Sequence, residues 1–265
     1  MIKRSLSFIM IIVLSIMLII PNQIARAATF SKRLAGNDRY ETSSMIANEG
    51  WTNSQYAVIV SGQGFPDALS AAPLAKKYEA PILLNGKDSL DPNTKSTLQN
   101  IGVKSVFIVG GEGVISSSVG IQLNNIGIDV IRIAGKDRLE TSFKVAQNIG
   151  TSNGVVLVNG YAFADALSIA PVAAAKGWPI LLSASETLNP EIASAFISSH
   201  GIPYIIGGNG SISDSIASQL GNPTRISGKN RYETNAAVLR KFADDFSYDK
   251  VYVASGQNYP DALSG

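Results

Sequence analysis

Three short stretches of the chain carry the same dense set of charged side chains: RLAGNDRYET at 33–42, RIAGKDRLET at 132–141 and RISGKNRYET at 225–234. In the first, Asp38 and Glu41 are residue types able to exchange protons as a general acid and base. Their spacing, however, is that of a helix capping box, in which the Asp accepts from the N3 amide and the Glu reaches back to the cap amide. The second copy has Asp137 and Glu140, and the third has Asn230 and Glu233. Asn caps a helix as well as Asp does but cannot transfer a proton, so the pair reads as structural.

The arginines flanking each pair read differently. Arg33 and Arg39, Arg132 and Arg138, and Arg225 and Arg231 occur in every copy while neighbouring positions vary. Capping does not need an Arg in the first helical turn, where the macrodipole slightly disfavours a cation. A guanidinium suits bidentate contact with phosphate or carboxylate. Two uses stay open: capture of an anionic ligand, or pairing with a carboxylate across an interface between modules.

Other chemistry finds little support. Gly62 and Gly64 precede a helical stretch, but the second copy has Gly160 and Ala162, the third has Gly256 and Asn258, and neither dinucleotide nor P-loop spacing is present. Asp67, Asp165 and Asp261 open those helices, where a carboxylate complements the dipole and repels phosphate. The pairs Gly110-Gly111 and Gly207-Gly208 suit a strand-end turn at positive φ. The single histidine, His200, has no counterpart in the other copies, and no nucleophile elbow, H-E-x-x-H or S-x-x-K occurs. The chain has no Cys, which removes thiolate metal sites and disulfides, and no cofactor is implied. Duplication also favours binding, since catalysis wants one asymmetric constellation while adhesion gains from multivalency.

The elements that must position these residues recur in fixed order. VIVSGQGFPDALSAAPLA at 58–75 matches VLVNGYAFADALSIAPVA at 156–173 and VYVASGQNYPDALSG at 251–265. APILL at 80–84 pairs with WPILLS at 178–183, and VFIVGGEGVIS at 106–116 with YIIGGNGSIS at 204–213. Apolar runs at 58–60, 81–84, 105–109 and 129–133 alternate with helical stretches at 66–78, 92–101 and 116–126. Runs apolar on both faces predict a parallel sheet with helices on either side, a three-layer α/β module repeated in tandem. No linker composition separates the copies, so modules should pack directly on one another. A further strand is expected at 251–254, and the third copy, ending after its DALS word, reads as truncated.

Composition bounds the setting. At 45% hydrophobic and 16% charged residues the chain is an ordinary globular protein. Lys3 and Arg4, the apolar run 6–20 and Ala25-Arg26-Ala27 read as a signal peptide cleaved after Ala27, the run being shorter than the roughly 20 residues of a spanning helix. Removing Lys3, Arg4 and Arg26 takes the formal charge from +2 to −1. Bulk charge therefore supports neither nucleic-acid nor membrane binding, and an anion must be met by placed Arg or Lys.

The ordered words R-[LI]-[AS]-G-x-[DN]-R-x-E-T, P-D-A-L-S, P-I-L-L and V-G-G resemble the cell-wall-binding repeat type 2 family across residues 32–265, with Ala164 in place of the Pro at Pro66 and Pro260. The resemblance implies Toprim-like modules about a pseudo-threefold axis, binding an anionic secondary wall polymer noncovalently and carrying a separate effector such as an amidase or adhesin. On this reading residues 1–27 are the leader, 28–127 and 128–221 are two modules, and 222–265 is part of a third. If the arginines prove to be struts, the strand ends at Leu84 and Leu182 are the alternative ligand site. Purified residues 28–265 should release neither reducing ends nor amino groups from peptidoglycan, and turnover lost on replacing Glu41 or Asp67 would defeat that expectation.

Overall fold

A strand apolar on both faces is stable only between two layers, and the two cores of this protein are built on that condition. The computed structural model describes residues 32–265; the expected signal peptide lies outside them. Strands β1 (Tyr56–Ser61), β2 (Ile82–Asn85), β3 (Ser105–Val109) and β4 (Asp129–Ile133) form one parallel sheet in the order β2-β1-β3-β4. Strands β5 (Gly154–Asn159), β6 (Ile180–Ser183), β7 (Ile202–Ile206) and β8 (Thr224–Ile226) repeat it as β6-β5-β7-β8. β4 follows the expected 127/128 division yet pairs with β3, so the arginine word straddles the last strand of one sheet and the first helix after it.

Helices α1 (Arg39–Gly50), α3 (Pro92–Asn100) and α4 (Ser117–Asn124) cover one face of the first sheet, where Ala57, Ile59, Leu83, Val106 and Ile108 meet Ala47, Leu98, Val119 and Leu123. In the second, α5 (Arg138–Ile149), α7 (Pro190–Ile197) and α8 (Asp214–Gln219) do the same over Val155, Leu157, Leu181 and Ile205. The alternate residues point the other way. Val58, Val60, Leu84, Phe107 and Val109 of the first sheet join Val156, Val158, Leu182, Tyr204 and Ile206 of the second in one continuous cluster.

That shared core is filled by the helices that follow β1 and β5 and by their counterpart in the third copy. A 3-10 turn at Asp67–Ser70 runs into α2 (Ala71–Lys77), which packs on α5 and on α6 (Ala164–Lys176). In turn α6 packs on α9 (Arg231–Lys241), and α10 (Pro260–Ser264) returns to pack on α1. Residues Leu34–Gly265 accordingly form one compact unit. Among the described residues no helix is long and apolar enough to cross a membrane.

The strand expected at 251–254 is not formed: Val251, Tyr252 and Val253 are 66%, 67% and 92% exposed. A strand exists only by pairing, and the PILL and VGG words that supply its neighbours in the other copies do not occur between 254 and 265.

Leu74 of α2 is fully buried in the shared core. Leu74→Ala should cost about 2–5 kcal/mol. Because the core is common, urea midpoints read at Trp51 beside the first sheet and Trp178 beside the second, in single-tryptophan variants, should fall together. An unmoved Trp178 transition would show the modules unfolding separately.

Candidate functional site

Nearly every residue of the recurring charged word has a structural duty. The Asp38 carboxylate accepts from the Tyr40 and Glu41 amides at 2.9 and 2.8 Å, and Asn230 repeats this at 3.0 Å to Tyr232 and Glu233. The glutamates do not return to the cap amide as a capping box requires. They reach one residue further, Glu140 to Lys136 N and Glu233 to Lys229 N, each at 3.0 Å. The bond from the Lys136 amide, then that from Lys144, holds the Glu140 carboxyl below its ordinary pKa. Thr42, Thr141 and Thr234 each accept from the amide of Gly36, Gly135 or Gly228 at 3.0 Å. A Cβ on Gly36 would stand 2.5 Å from the Glu41 Cβ, so the chain must be bare there.

The six arginines fall into two sets. Arg132 Nη1 donates to Gly110 O at 2.7 Å and Arg225 Nη1 to Gly207 O at 2.9 Å, each tying the last strand of a sheet to the glycine turn after its neighbour. Those glycines have φ of +121° and +110°, the positive values expected of them. Arg225 also pairs with Asp214 at 3.3 Å. Arg33, the first-copy counterpart, is exposed. Arg39, Arg138 and Arg231 open helices α1, α5 and α9, and Nη1 of each donates to the carbonyl of the glycine just after the next strand or its counterpart: Gly62, Gly160 at 3.0 Å and Gly256 at 2.7 Å. The interface ion pairs weighed for these arginines are absent among the described residues; backbone carbonyls take their place, joined for Arg39 by the Tyr259 hydroxyl.

Between these arginines lies a feature that motif reading passed over. Phe65, Phe163 and Tyr259 hold the same place in the three copies, and their rings form a triangle with centroids 5.7, 5.4 and 6.0 Å apart. The triangle marks the expected pseudo-threefold axis. Arg39 Nη1 donates to Tyr259 Oη at 3.2 Å, and Tyr259 Oη donates to Gly62 O at 3.2 Å, joining the third copy to the first. The Arg231 guanidinium lies over Phe163 at 5.1 Å, joining the third to the second, whereas Arg138 stacks on Tyr161 of its own copy at 4.5 Å. An aromatic two positions before D-A-L-S in each copy was the available signal.

Leu84 and Leu182, the alternative ligand positions, are fully buried. Their amides accept no ligand either, since they donate to Ser43 and Ser142 hydroxyls of α1 and α5 at 3.1 and 3.0 Å, which seals the edge strands β2 and β6. Both side chains belong to the shared core, so they are corrected from contact residues to packing residues. His200 is exposed just beyond α7, and among the described residues no cluster of three or more His, Asp or Glu can hold a metal.

Asp67 sits at the junction of the first two modules, beside Thr141, Arg138 and the Gly110 turn. Burial pushes its carboxyl above the ordinary value, against the Thr141 hydrogen bond and the Arg138 charge, while Asp137 adds to the rise. An acid whose folded pKa exceeds its unfolded one costs stability when ionised; the cost is absent below about pH 3.9, grows as pH rises through the folded value, and is complete above it. The gain in urea midpoint from Asp67→Asn should therefore be larger at pH 7 than at pH 3. A difference that does not change with pH would remove the buried-charge account.

Comparison with known proteins places this geometry. A family model described as cell wall binding domain 2 (CWB2) matches residues 33–120, 132–217 and 225–265. The N-acetylmuramoyl-L-alanine amidase LytC of Bacillus subtilis (strain 168) is 39% identical over 254 residues, covering 95% of this chain and 50% of that protein. The amidase enhancer of the same organism is 36% identical over 237 residues, covering 88% of this chain and 32% of that protein. Among solved structures, Cwp6 from Clostridium difficile matches with a TM-score of 0.75 at 33% identity, over 84% of this chain and 38% of that one. Cwp8 from the same organism gives 0.73 at 31%, over 79% and 37%. The chain thus spans about half the length of the amidase and about a third of the other relatives. Since the matched segments open at Arg33, Arg132 and Arg225, the first residues of the three recurring words, the chain belongs to the cell wall binding domain 2 family and has a cell-wall-binding role.

Proposed function

We propose that the chain is exported and holds its protein on a Gram-positive wall noncovalently, through an anionic secondary polymer. The observation that carries this reading is the placement of Arg39, Arg138 and Arg231, one per copy, about the aromatic triangle. Each commits Nη1 to a glycine carbonyl, and a guanidinium has five N–H donors. The donors left over suit a phosphate or carboxylate, and the braced one fixes where they stand. The chain without its expected leader is nearly neutral, so attraction to a polyanion has to come from cations placed in this way. The amidase and amidase-enhancer relatives favour one extension: these modules are the targeting half of a peptidoglycan hydrolase, and catalysis belongs to another domain.

Linked weak sites raise avidity about 10²–10⁴-fold. The protein should co-sediment with purified Gram-positive walls, be released as salt shortens the Debye length below about 10 Å, and lose binding on walls stripped of anionic polymer. Replacing Arg39, Arg138 and Arg231 together by Gln should weaken binding more than any single change, with circular dichroism unaltered. A folded triple variant that binds undiminished would refute the arginine site, and an unfolded one would make the arginines braces alone.

A further inference from the structure

A cavity of about 420 Å³ opens at the carboxyl ends of β1 and β2, lined by Tyr40, Gln63, Lys87, Asp88, Ser89 and Asp91 among others. Open parallel sheets bind ligands outside the carboxyl ends of their strands, and this volume lies within the roughly 300–1,000 Å³ of small-molecule pockets. The lining alternates donors and acceptors: a phenol, an amide, an ammonium, a hydroxyl and two carboxylates. Burial raises the Tyr40 pKa, which keeps its hydroxyl protonated and able to donate. The ring offers an apolar face beside them.

Charge selects the ligand. Asp91 caps α3, accepting from Asn93 N at 2.9 Å and Thr94 N at 3.3 Å, so it stays fixed at the cavity wall. With Asp88 it sets two carboxylates against the one ammonium of Lys87, a poor cradle for a phosphate and a good one for hydroxyl groups. The cation that suits an anion is next door. Gly62 lies between the two: a Cβ there would stand 2.5 Å from the Tyr40 ring and 3.2 Å from Arg39 Cδ. A polymer alternating sugar and charge finds a cavity for sugar hydroxyls and a guanidinium on either side of one glycine.

The second module repeats the cavity lining only in part, keeping a carboxylate and a hydroxyl in Glu186 and Thr187 at the places of Asp88 and Ser89. At the matching places in the repeated words it has Leu139, Tyr161, Ser185 and Asn189 for Tyr40, Gln63, Lys87 and Asp91. Tyr161 is 58% exposed and stacked with Arg138. We infer that the first-module cavity is a saccharide subsite taking one uncharged sugar ring of the anionic secondary polymer, while its charge goes to Arg39. The inference rests on the wall-polymer reading above and adds to it a ligand chemistry and an inequality between modules.

Lys87→Ser and Gln63→Tyr introduce the residues that the second module already carries, and both variants are expected to fold. Glucose and N-acetylglucosamine, titrated separately into ¹⁵N-labelled protein, should shift the amides of Gln63, Gly86, Lys87 and Asp88 but not those of Ala184, Ser185 and Glu186. The shifts should vanish in the double variant, whose affinity for intact walls should fall about 5- to 30-fold, the loss of one or two hydrogen bonds. On walls stripped of anionic polymer the two proteins should be equal; a deficit that persists there would assign the sugar to peptidoglycan and overturn the proposal. So would an absence of shifts with either sugar, or undiminished wall binding by the variant. Failure of the wild-type protein to bind walls at all would instead refute the wall-polymer reading. Should the double variant unfold, Lys87→Ser alone carries the same comparison.

Discussion

Each parallel sheet here has one face covered by three helices of its own and another that its own chain segment covers only in part. Val58, Val60, Leu84, Phe107 and Val109 meet α2, but the remaining cover comes from elements beyond the repeat, and the inner face of the second sheet is in the same position. A face of that size left to water would cost about 25 cal/mol for every Å² of apolar surface, so a module alone is unfavourable and modules in contact are not. The packing is head-to-tail: α2 on α5, α6 on α9, α10 on α1. Heterologous contacts of this kind either propagate or close, and the rotation between copies decides which. Here they close after three, and Phe65, Phe163 and Tyr259 meet where they do.

Closure is what makes the arginines more than repeated letters. Each of Arg39, Arg138 and Arg231 begins a helix that a neighbouring module packs against, so its guanidinium is brought to a junction rather than to an open helix end. The choice between strut and ligand site then loses its force, because the geometry assigns one donor to the protein and the chemistry of the side chain supplies others. Bracing is also what a binding site needs: a long flexible side chain loses rotamer freedom on meeting a ligand unless that freedom is already gone. Arg132 and Arg225 show the other outcome. Their guanidiniums are spent on the Gly110 and Gly207 turns and, for Arg225, on Asp214, and Arg225 thereby holds the loop in which Asp165 accepts from Ser211 at 2.8 Å.

The parallel sheets, their helices and the positive-φ glycines were legible because they depend on local pattern: apolar runs, caps and strand-end turns. The threefold arrangement came with the family resemblance. What periodicity could not show was which end of an apolar run meets water. Leu84 and Leu182 close their strands in sequence, yet both lie inside, because the cover comes from helices distant in the chain. The glutamates of the charged word passed for a complete capping box because a one-residue difference in reach leaves no trace in spacing. Val251, Tyr252 and Val253 have every local mark of a strand and form none, since pairing is a property of neighbours.

The repeated words and the differing ones do separate work. What recurs (the arginine, the glycine it binds, the axial aromatic) is what closes the ring and sets three cations in like places, and a polymer with a repeating charge can engage them together. What differs lies around the same glycines: Tyr40, Gln63 and Lys87 in one module, Leu139, Tyr161 and Ser185 in the next. Symmetric contacts reward length in the ligand without reading its composition, because every charged repeat is equivalent to them. Discrimination between polymers of equal charge needs groups that only one sugar satisfies, and a lining matched to one pattern of hydroxyls holds the others less well. A ring of strictly identical modules would repeat one such reading three times, whereas divergence at the strand ends lets common arginines supply attraction while individual modules supply selectivity.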